Sequence, residues 1–408
     1  MKNLILILLS LVPFLSLSQS SSTKIFIKCE RCDKDFFKQE MNYLNHVRDQ
    51  GLADIQVFIY RNRNANNGNR YTINFIGKNE FLGKDNSLNI DTNPKMTRDE
   101  IRNSLKERIE LGLVDYLIKT DLSNQIKISI GNEINNELNE LNESNSDKWK
   151  NWIFQFSGDA DFENETSKKE SNIEFQADID KVTDDIKIQI DFDFERSKNR
   201  YESDDDVFIS KRDRKSFNTK IVWSLNDNWS SGFVAGLESN SYQNIDFEYY
   251  FMPAVEYSFY PYKEVVRREM TVNYRIGFVL RDYTQETIYG KTKENVYTHE
   301  INFETRFRQP WGDIYSRLTA FSFLQDPSKN RLEFNNWFSV RIFEGLSVRV
   351  GGEINFIRDQ VGLPAGNTSI EDLLLQQKEI ATNFYSELRF GISYTFGSAF
   401  NNFINSRL

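Results

Sequence analysis

The chain has 408 residues, 39% of them hydrophobic and 27% charged, with a net charge of −9 and a mean hydropathy of −0.58. Its longest apolar stretch, Leu4 to Leu17, is shorter than the roughly 20 residues a bilayer-spanning helix needs, so a helical membrane bundle is excluded. Aromatics at 14%, with 33 Phe and 18 Tyr, argue against disorder, and a pI near 5.2 without a basic cluster argues against nucleic acid as a partner.

Lys2 opens a short positive start, Leu4 to Leu17 form an apolar core, and Ser16-Leu17-Ser18 places small residues two apart before Gln19. That is signal-peptidase spacing, so residues 1–18 are expected to be an export signal and Gln19 the first mature residue. A buried core helix is the alternative. No cysteine stands at the junction, which argues against a lipid anchor. The cysteines Cys29 and Cys32 form a CxxC after the strand-like Ile25-Phe26-Ile27 and before a helical pattern. The placement is superficially similar to thioredoxin, where a helix N-terminus lowers a thiol pKa. The spacer here is Glu30-Arg31, however, and the thioredoxin Trp and Gly-Pro are missing. A structural disulfide in an oxidising compartment is therefore favoured. A metal on this pair would need further ligands that the sequence does not identify, and neither metal nor cofactor is expected.

Residues 24–130 read as a small α+β domain. Phe37, Met41, Leu44 and Val47 fall at helical spacing, while Ile55, Val57, Ile59 and then Tyr71, Ile73, Phe75 alternate as two strands joined by the polar loop Asn62 to Asn69. Thr97 with Glu100 makes a capping box ahead of Ile101, Leu105, Ile109, Leu113 and Leu117 on one helix face. That stripe reads as core rather than as a partner-binding face. His46 falls off the Phe37/Leu44 stripe and is expected to be exposed. From Asn132 to Asp147 the composition falls to Asn, Glu, Leu and Ser, so residues 131–150 read as a linker.

Beyond Trp152 the period becomes two and stays so to Phe396. Twelve segments follow, at about 152–164, 170–182, 185–198, 207–225, 229–241, 244–260, 265–283, 291–308, 312–325, 330–342, 345–358 and 380–396. An even count returns the chain to its starting side, as an up-and-down membrane barrel requires. Short connections (Thr183 to Asp185, Asn226 to Asn228, Gln309 to Trp311, Phe343 to Gly345) alternate with longer polar ones at Ser197 to Asp206, Thr284 to Gly290 and Asp359 to Glu379. The expected fold is thus mainly β: a twelve-stranded antiparallel transmembrane β-barrel at 151–397 preceded by the α+β domain, with a tail at 398–408. A soluble sandwich also alternates, but so many outward aromatics behind a secretion signal favour the membrane. Ile370, Leu373, Leu374 and Leu375 suggest a short amphipathic helix capping the barrel mouth.

Parity assigns an acidic inner wall: Asp159, Asp161, Glu163, Glu174, Asp178, Asp180, Asp191, Asp193 and Glu195. Later strands place Arg275, Arg281, Arg306, Arg308, Arg317, Arg331, Arg341, Arg349 and Arg389 inside, mixed with Glu269, Glu300, Glu304, Glu333, Glu353 and Glu387. Such charge either lines a narrow wet pore or pairs across the lumen and fills it, and a plugged or very narrow lumen is slightly favoured. His299 shares parity with Tyr297, Ile301 and Phe303 and is expected to face lipid, which is no place for a catalytic base. Outer-membrane phospholipases resemble this strand number, yet their His-x-Ser-Asn-Gly motif is replaced by His299-Glu300-Ile301-Asn302-Phe303. No catalytic residue is assigned and no enzyme is expected.

The last strand, Arg389-Phe390-Gly391-Ile392-Ser393-Tyr394-Thr395-Phe396, resembles the outer-membrane insertion signal, with Gly391, Tyr394 and Phe396 as its key residues. The resemblance implies recognition by the barrel-assembly machinery. Phe384, Leu388, Phe390, Ile392, Tyr394 and Phe396 share the lipid parity, while Tyr385, Glu387, Arg389, Ser393 and Thr395 face inward, so a charge at Ile392 is expected to cost more than one at Ser393. From Ser16-Leu17-Ser18-Gln19 through the CxxC to Leu363-Pro364-Ala365-Gly366, the chain resembles an uncharacterised outer-membrane β-barrel family of Bacteroidota with a small periplasmic CxxC domain. That resemblance implies a fold and a place, the outer membrane with the N-terminal domain in the periplasm, but no activity. Three functions are open: a channel or transport component for small polar solutes or cations, a non-conducting scaffold whose periplasmic domain docks a partner protein, and, more weakly, a lipid hydrolase. Outer-membrane lipid is the expected surrounding in each.

Overall fold

The computed structural model describes residues 23–29, 32–64, 68–93, 95–127, 149–203, 206–366, 379 and 381–398. The segments expected to be an export signal and most of a linker, the Ile370–Leu375 segment and the end of the tail lie outside the described residues.

The first unit is a five-stranded sheet with two helices. Its elements are β1 (Lys24–Cys29), α1 (Lys34–Glu40), β2 (Asn45–His46), β3 (Ile55–Arg63), β4 (Asn69–Gly77), β5 (Asp85–Asp91) and α2 (Arg98–Leu117). Sheet order is β2-β1-β3-β4-β5, with β1 parallel to β2 and β3 and the remaining pairs antiparallel. The capping box forms: the Thr97 hydroxyl accepts from the Glu100 N–H and the Glu100 carboxylate accepts from the Thr97 N–H. Leu105, Ile109, Leu113 and Leu117 on α2 pack with Ile25, Val57, Ile73 and Phe75. Helix and sheet touch closely at Gly112, where an added Cβ would stand 2.2 Å from the Phe75 ring.

Three expectations change here. The helical spacing from Phe37 to Val47 covers only one short helix; α1 stops at Glu40, Leu44 reaches the same core through a turn, and Val47 is buried just past β2 without joining that cluster. β5 is an edge strand, DNSLNID, whose polar alternation hid it among loop residues. His46 is buried, 4% exposed, with Nε2 3.1 Å from the Met41 carbonyl oxygen; β2 turns it inward although it lies off the helical stripe. Cys29 and Cys32 are disulfide-bonded, with Cα atoms 5.9 Å apart.

The second unit is a twelve-stranded antiparallel sheet in strict sequence order. Its strands are β6 (Trp152–Asn164), β7 (Lys168–Val182), β8 (Ile186–Ser203), β9 (Asp206–Ser224), β10 (Trp229–Asn240), β11 (Ile245–Ser258), β12 (Arg268–Tyr283), β13 (Lys293–Gln309), β14 (Gly312–Phe323), β15 (Asn330–Phe343), β16 (Leu346–Ile357) and β17 (Phe384–Tyr394). The fold is mainly β, and its meander is that of an up-and-down barrel. The sheet curls, since among the described residues a cavity of about 1050 Å³ is lined from every strand between β7 and β14. Residues 197–203 are strand rather than loop: Ser197 pairs with Arg212 and Tyr201 with Phe208, so β8 and β9 stay paired to Ser203 and Asp206. Among the described residues no ladder joins β6 to β17, so the barrel sheet carries a seam there.

Candidate functional site: the inner face and its two mouths

Because directly opposed residues in a ladder share a face, the registers test the inward parity strand by strand. Glu174 faces Asp159 and Glu195; Asp178 faces Asp191; Asp191 faces Asn218. The same face continues through Gly236 and Tyr250 and through Glu238, Glu248 and Arg281. It then runs from Arg275 to Glu300 and from Glu304 to Arg317, and ends at Arg349 opposite Gly391 and Glu353 opposite Glu387. Every charged residue assigned to the interior therefore lies on one face. Phe390, Ile392 and Tyr394 lie on the other with Val350, Val348 and Leu346. Tyr394 and Phe396 stack on that outer face, ring centroids 5.5 Å apart. His299 also faces out, edge-on to Tyr274 at 6.1 Å.

The inner charge is segregated. Arg275, Arg281, Arg306, Arg317 and Arg331 pair with carboxylates of their own or a neighbouring segment, not across the lumen as one sequence reading had it. Arg281 binds Glu248, Arg275 binds Glu300, and Arg317 donates to Glu304 at 2.6 Å. Arg331 reaches Asp359 at 2.9 Å and Glu333 at 3.3 Å. Strand spacing is short enough for a direct rung, so each pair closes locally. The β6–β8 wall differs. Lys168 pairs with Glu163 at 3.2 Å and with Glu170 at 3.1 Å at the wall's edge. Among the described residues Asp159, Asp161, Glu174, Asp178, Asp191, Asp193 and Glu195 have no cation within ion-pair distance. Asp193 accepts from the Ser216 hydroxyl at 3.0 Å, and Asp180 from Gln189 at 3.4 Å.

One mouth is the turn end, where β7–β8, β9–β10, β13–β14 and β15–β16 reverse in tight turns. The α+β unit docks there. Asp49 accepts from Arg341 and, at 2.9 Å, from the Gly345 N–H; Gly345 has φ +77°, the left-handed conformation a tight hairpin turn demands. Lys28 pairs with Asp313 at 3.1 Å, and Arg308 donates to Asn62 at 2.7 Å. Arg48 donates to three carbonyls after β17, those of Thr395 (2.7 Å), Gly397 (2.9 Å) and Ser398. Behind this docking lies the 1050 Å³ cavity, with Lys187, Lys220, Glu256, Glu269, Arg275 and Arg317 on its walls. The sequence singled out Arg341 and Arg308 by parity but not their partners Asp49 and Asn62, which lie some 250 to 300 residues earlier.

At the loop end the segment after β16 folds across its neighbours. Asn244 donates to the carbonyls of Gln285 (2.9 Å) and Gly362 (3.0 Å), Ile288 N–H bonds to Leu363, and Val361 and Leu363 are buried. Residues 361–365 thus pack on the connections after β10 and β12; the segment expected to cap the mouth, Ile370 to Leu375, lies outside the described residues.

No family model matches the chain, and no curated protein does. Among solved structures it is similar to the NanC porin (10% identity, 60% of this chain and 99% of that one, TM-score 0.27). It is also similar to the translocator domain of autotransporter NalP from Neisseria meningitidis (12%, 60% and 86%, TM-score 0.26). A third is the beta domain of the Bordetella autotransporter Brka (9%, 60% and 98%, TM-score 0.27).

Proposed function

We propose that this chain is an outer-membrane β-barrel whose lumen is a narrow, cation-favouring passage for small polar solutes, with the N-terminal domain seated on the periplasmic mouth as its gate. The observation that carries this reading is the segregation of inner charge. Rungs of paired Arg and Glu are self-neutralising, whereas the β6–β8 wall holds seven carboxylates without a cationic partner. Rings of carboxylate bias a pore toward cations. The outer face supports the membrane setting: Phe154, Phe156, Phe162, Leu388, Phe390 and Ile392 are all exposed on it, as an apolar band in lipid would be. The outer-membrane address, the export signal and the kinship with Bacteroidota barrels belong to this same reading. So does delivery by the barrel-assembly machinery through Gly391, Tyr394 and Phe396. No catalytic step is part of it, since His299 lies on the outer face.

Planar-bilayer recording tests it. Wild-type protein should give discrete cation-biased steps, and Asp178→Asn with Asp191→Asn should reduce the bias without abolishing insertion. Silence from a well-folded, heat-modifiable preparation would overturn the pore. It would favour the second reading, a scaffold, which the Arg48, Asp49 and Lys28 docking of the N-terminal domain independently supports.

A further inference from the structure

The barrel sheet has two free edges. Both β6 and β17 pair on one side only, and they carry some of the most exposed apolar side chains of the protein, Phe156 at 67%, Phe162 at 71% and Leu388 at 79%. In lipid an unpaired strand edge costs several kcal/mol per backbone group, so something must cover these edges. With twelve strands in meander order the first and last are antiparallel, and both carry their charges on the inner face.

We propose that β6 and β17 cover each other through an ionic seam, Asp159 opposite Arg389, and that the N-terminal domain holds this seam shut through Arg48. The inference rests on the barrel reading above and adds to it a register and a control point. Three features select the register. Placing Asp159 against Arg389 sets Asn164 against Phe384 and Phe154 against Tyr394, so all 11 residues of β17 find partners. It puts the Phe390 ring beside Gly158 on the outer face, the arrangement in which an aromatic covers a strand glycine. It also brings a basic residue to the partnerless acidic wall. This register also sets Asp161 against Glu387, but sliding two residues one way keeps such a clash, Asp159 against Glu387, and loses the attractive pair, since Arg389 then faces Ser157. Sliding two the other way sets Asp161 against Arg389 but Glu163 against Glu387, leaves Phe384 and Tyr385 beyond the end of β6, and moves Phe390 away from Gly158.

The control point follows from where Arg48 bonds. Its guanidinium takes the carbonyls of Thr395, Gly397 and Ser398, immediately beyond the end of the seam strand, while Asp49 next to it holds Arg341 and the Gly345 turn. One domain thus grips the turn mouth and the end of β17 together. Undocking it frees both.

Cysteine pairs in the full chain test this. Asp159→Cys with Arg389→Cys should form an intramolecular disulfide in membranes, several-fold more than Ser157→Cys or Asp161→Cys combined with Arg389→Cys. Adding Arg48→Ala should lower that yield several-fold while heat-modifiable migration persists. Equal yields from all three pairs, or no crosslink in a heat-modifiable protein, would overturn the register. Disulfide-linked dimers would show that a second copy covers the edges instead, and an unchanged yield with Arg48→Ala would overturn the control. Loss of heat-modifiable migration by wild type itself would instead bring down the barrel reading, and the seam with it.

Discussion

An arginine at Leu388 should be among the costliest single charges on β17. Leu388 projects from the outer face, 79% exposed, one residue from the middle of a strand running from Phe384 to Tyr394. At about 3.3 Å per residue and a tilt of about 40°, that strand climbs about 28 Å, close to the apolar band of about 25 Å in such barrels. Leu388 therefore sits near the midplane, where Arg on the lipid face costs about 2 to 4 kcal/mol. Ile392 lies four residues further on, about 10 Å along the membrane normal by the same rise and tilt. That is near the band's edge, where the cost falls to about 0 to 1 kcal/mol. The sequence reading gives Ile392 the midplane cost of about 2 to 4 kcal/mol; the extent of β17 moves it toward the edge. Ser393 pairs with Ser347 on the inner face, and Arg there should be nearly neutral. Folding titrations in urea with lipid vesicles, together with outer-membrane yields, should rank Leu388→Arg well below Ile392→Arg, and Ile392→Arg slightly below Ser393→Arg. If Ser393→Arg is the most damaging of the three, the strand parity is inverted and every inward assignment falls with it.

Asp49→Asn should loosen the domain on its mouth. It removes the charge from a pair that is 10% and 24% exposed at its two side chains, and breaking a buried pair costs about 3 to 5 kcal/mol. Discounted for the partly exposed Arg341, about 2 kcal/mol remains, and hydrogen exchange of Asn45 to Leu52 should rise accordingly; additivity with Arg341→Gln in a double-mutant cycle would refute the latch. The N-terminal domain should also weaken in acid through His46. Burial, above all, lowers its pKa; Lys38 adds to this, and the Met41 carbonyl opposes it. The unfolded chain then binds a proton at a higher pH than the folded one, so stability is complete above about pH 6.5 and falls as pH drops toward the folded value. Exchange protection of β1 and β2 followed from pH 7.5 to 5 should decline in wild type and stay flatter in His46→Gln.

The sheet was legible because the strand period is two and its chemistry is stark. Ile186, Ile188, Ile190, Phe192 and Phe194 against Lys187, Gln189, Asp191, Asp193 and Glu195 admit one face assignment, and the observed ladders carry it from β6 to β17. α2 was legible for the same reason at the helical period, with Thr97 and Glu100 marking its start. What stayed hidden has a common cause: its partners are distant or polar. β5 is held by β4 rather than by its own propensity. The polar end of the β8–β9 hairpin reads as loop until Arg196 is seen against Asp213 at 2.7 Å. His46 is buried by the parallel pairing of β2 with β1, a contact about 20 residues away that no local period encodes. The docking residues Arg48 and Asp49 look like ordinary surface charge, and only the folded chain brings them to Gly345 and Thr395.

How the domain is held bears on whether it plugs or gates. Its apolar core is its own: every buried residue of that cluster lies between Ile25 and Leu117, and none comes from the barrel sheet. The contacts to the sheet are ion pairs and hydrogen bonds from Lys28, Arg48, Asp49 and Asn62. A unit that buries its own core loses little hydrophobic stabilisation on leaving, whereas a permanent plug would share an apolar core with the barrel wall. Polar contacts of this kind are weakened by salt and exchange readily for water, so undocking requires no unfolding. Each docking contact also has a barrel partner at or beside a tight turn or strand end, where loss of the contact leaves the ladder intact. Within the function we propose, such contacts suit a reversible lid over a charged lumen better than a cork built into it.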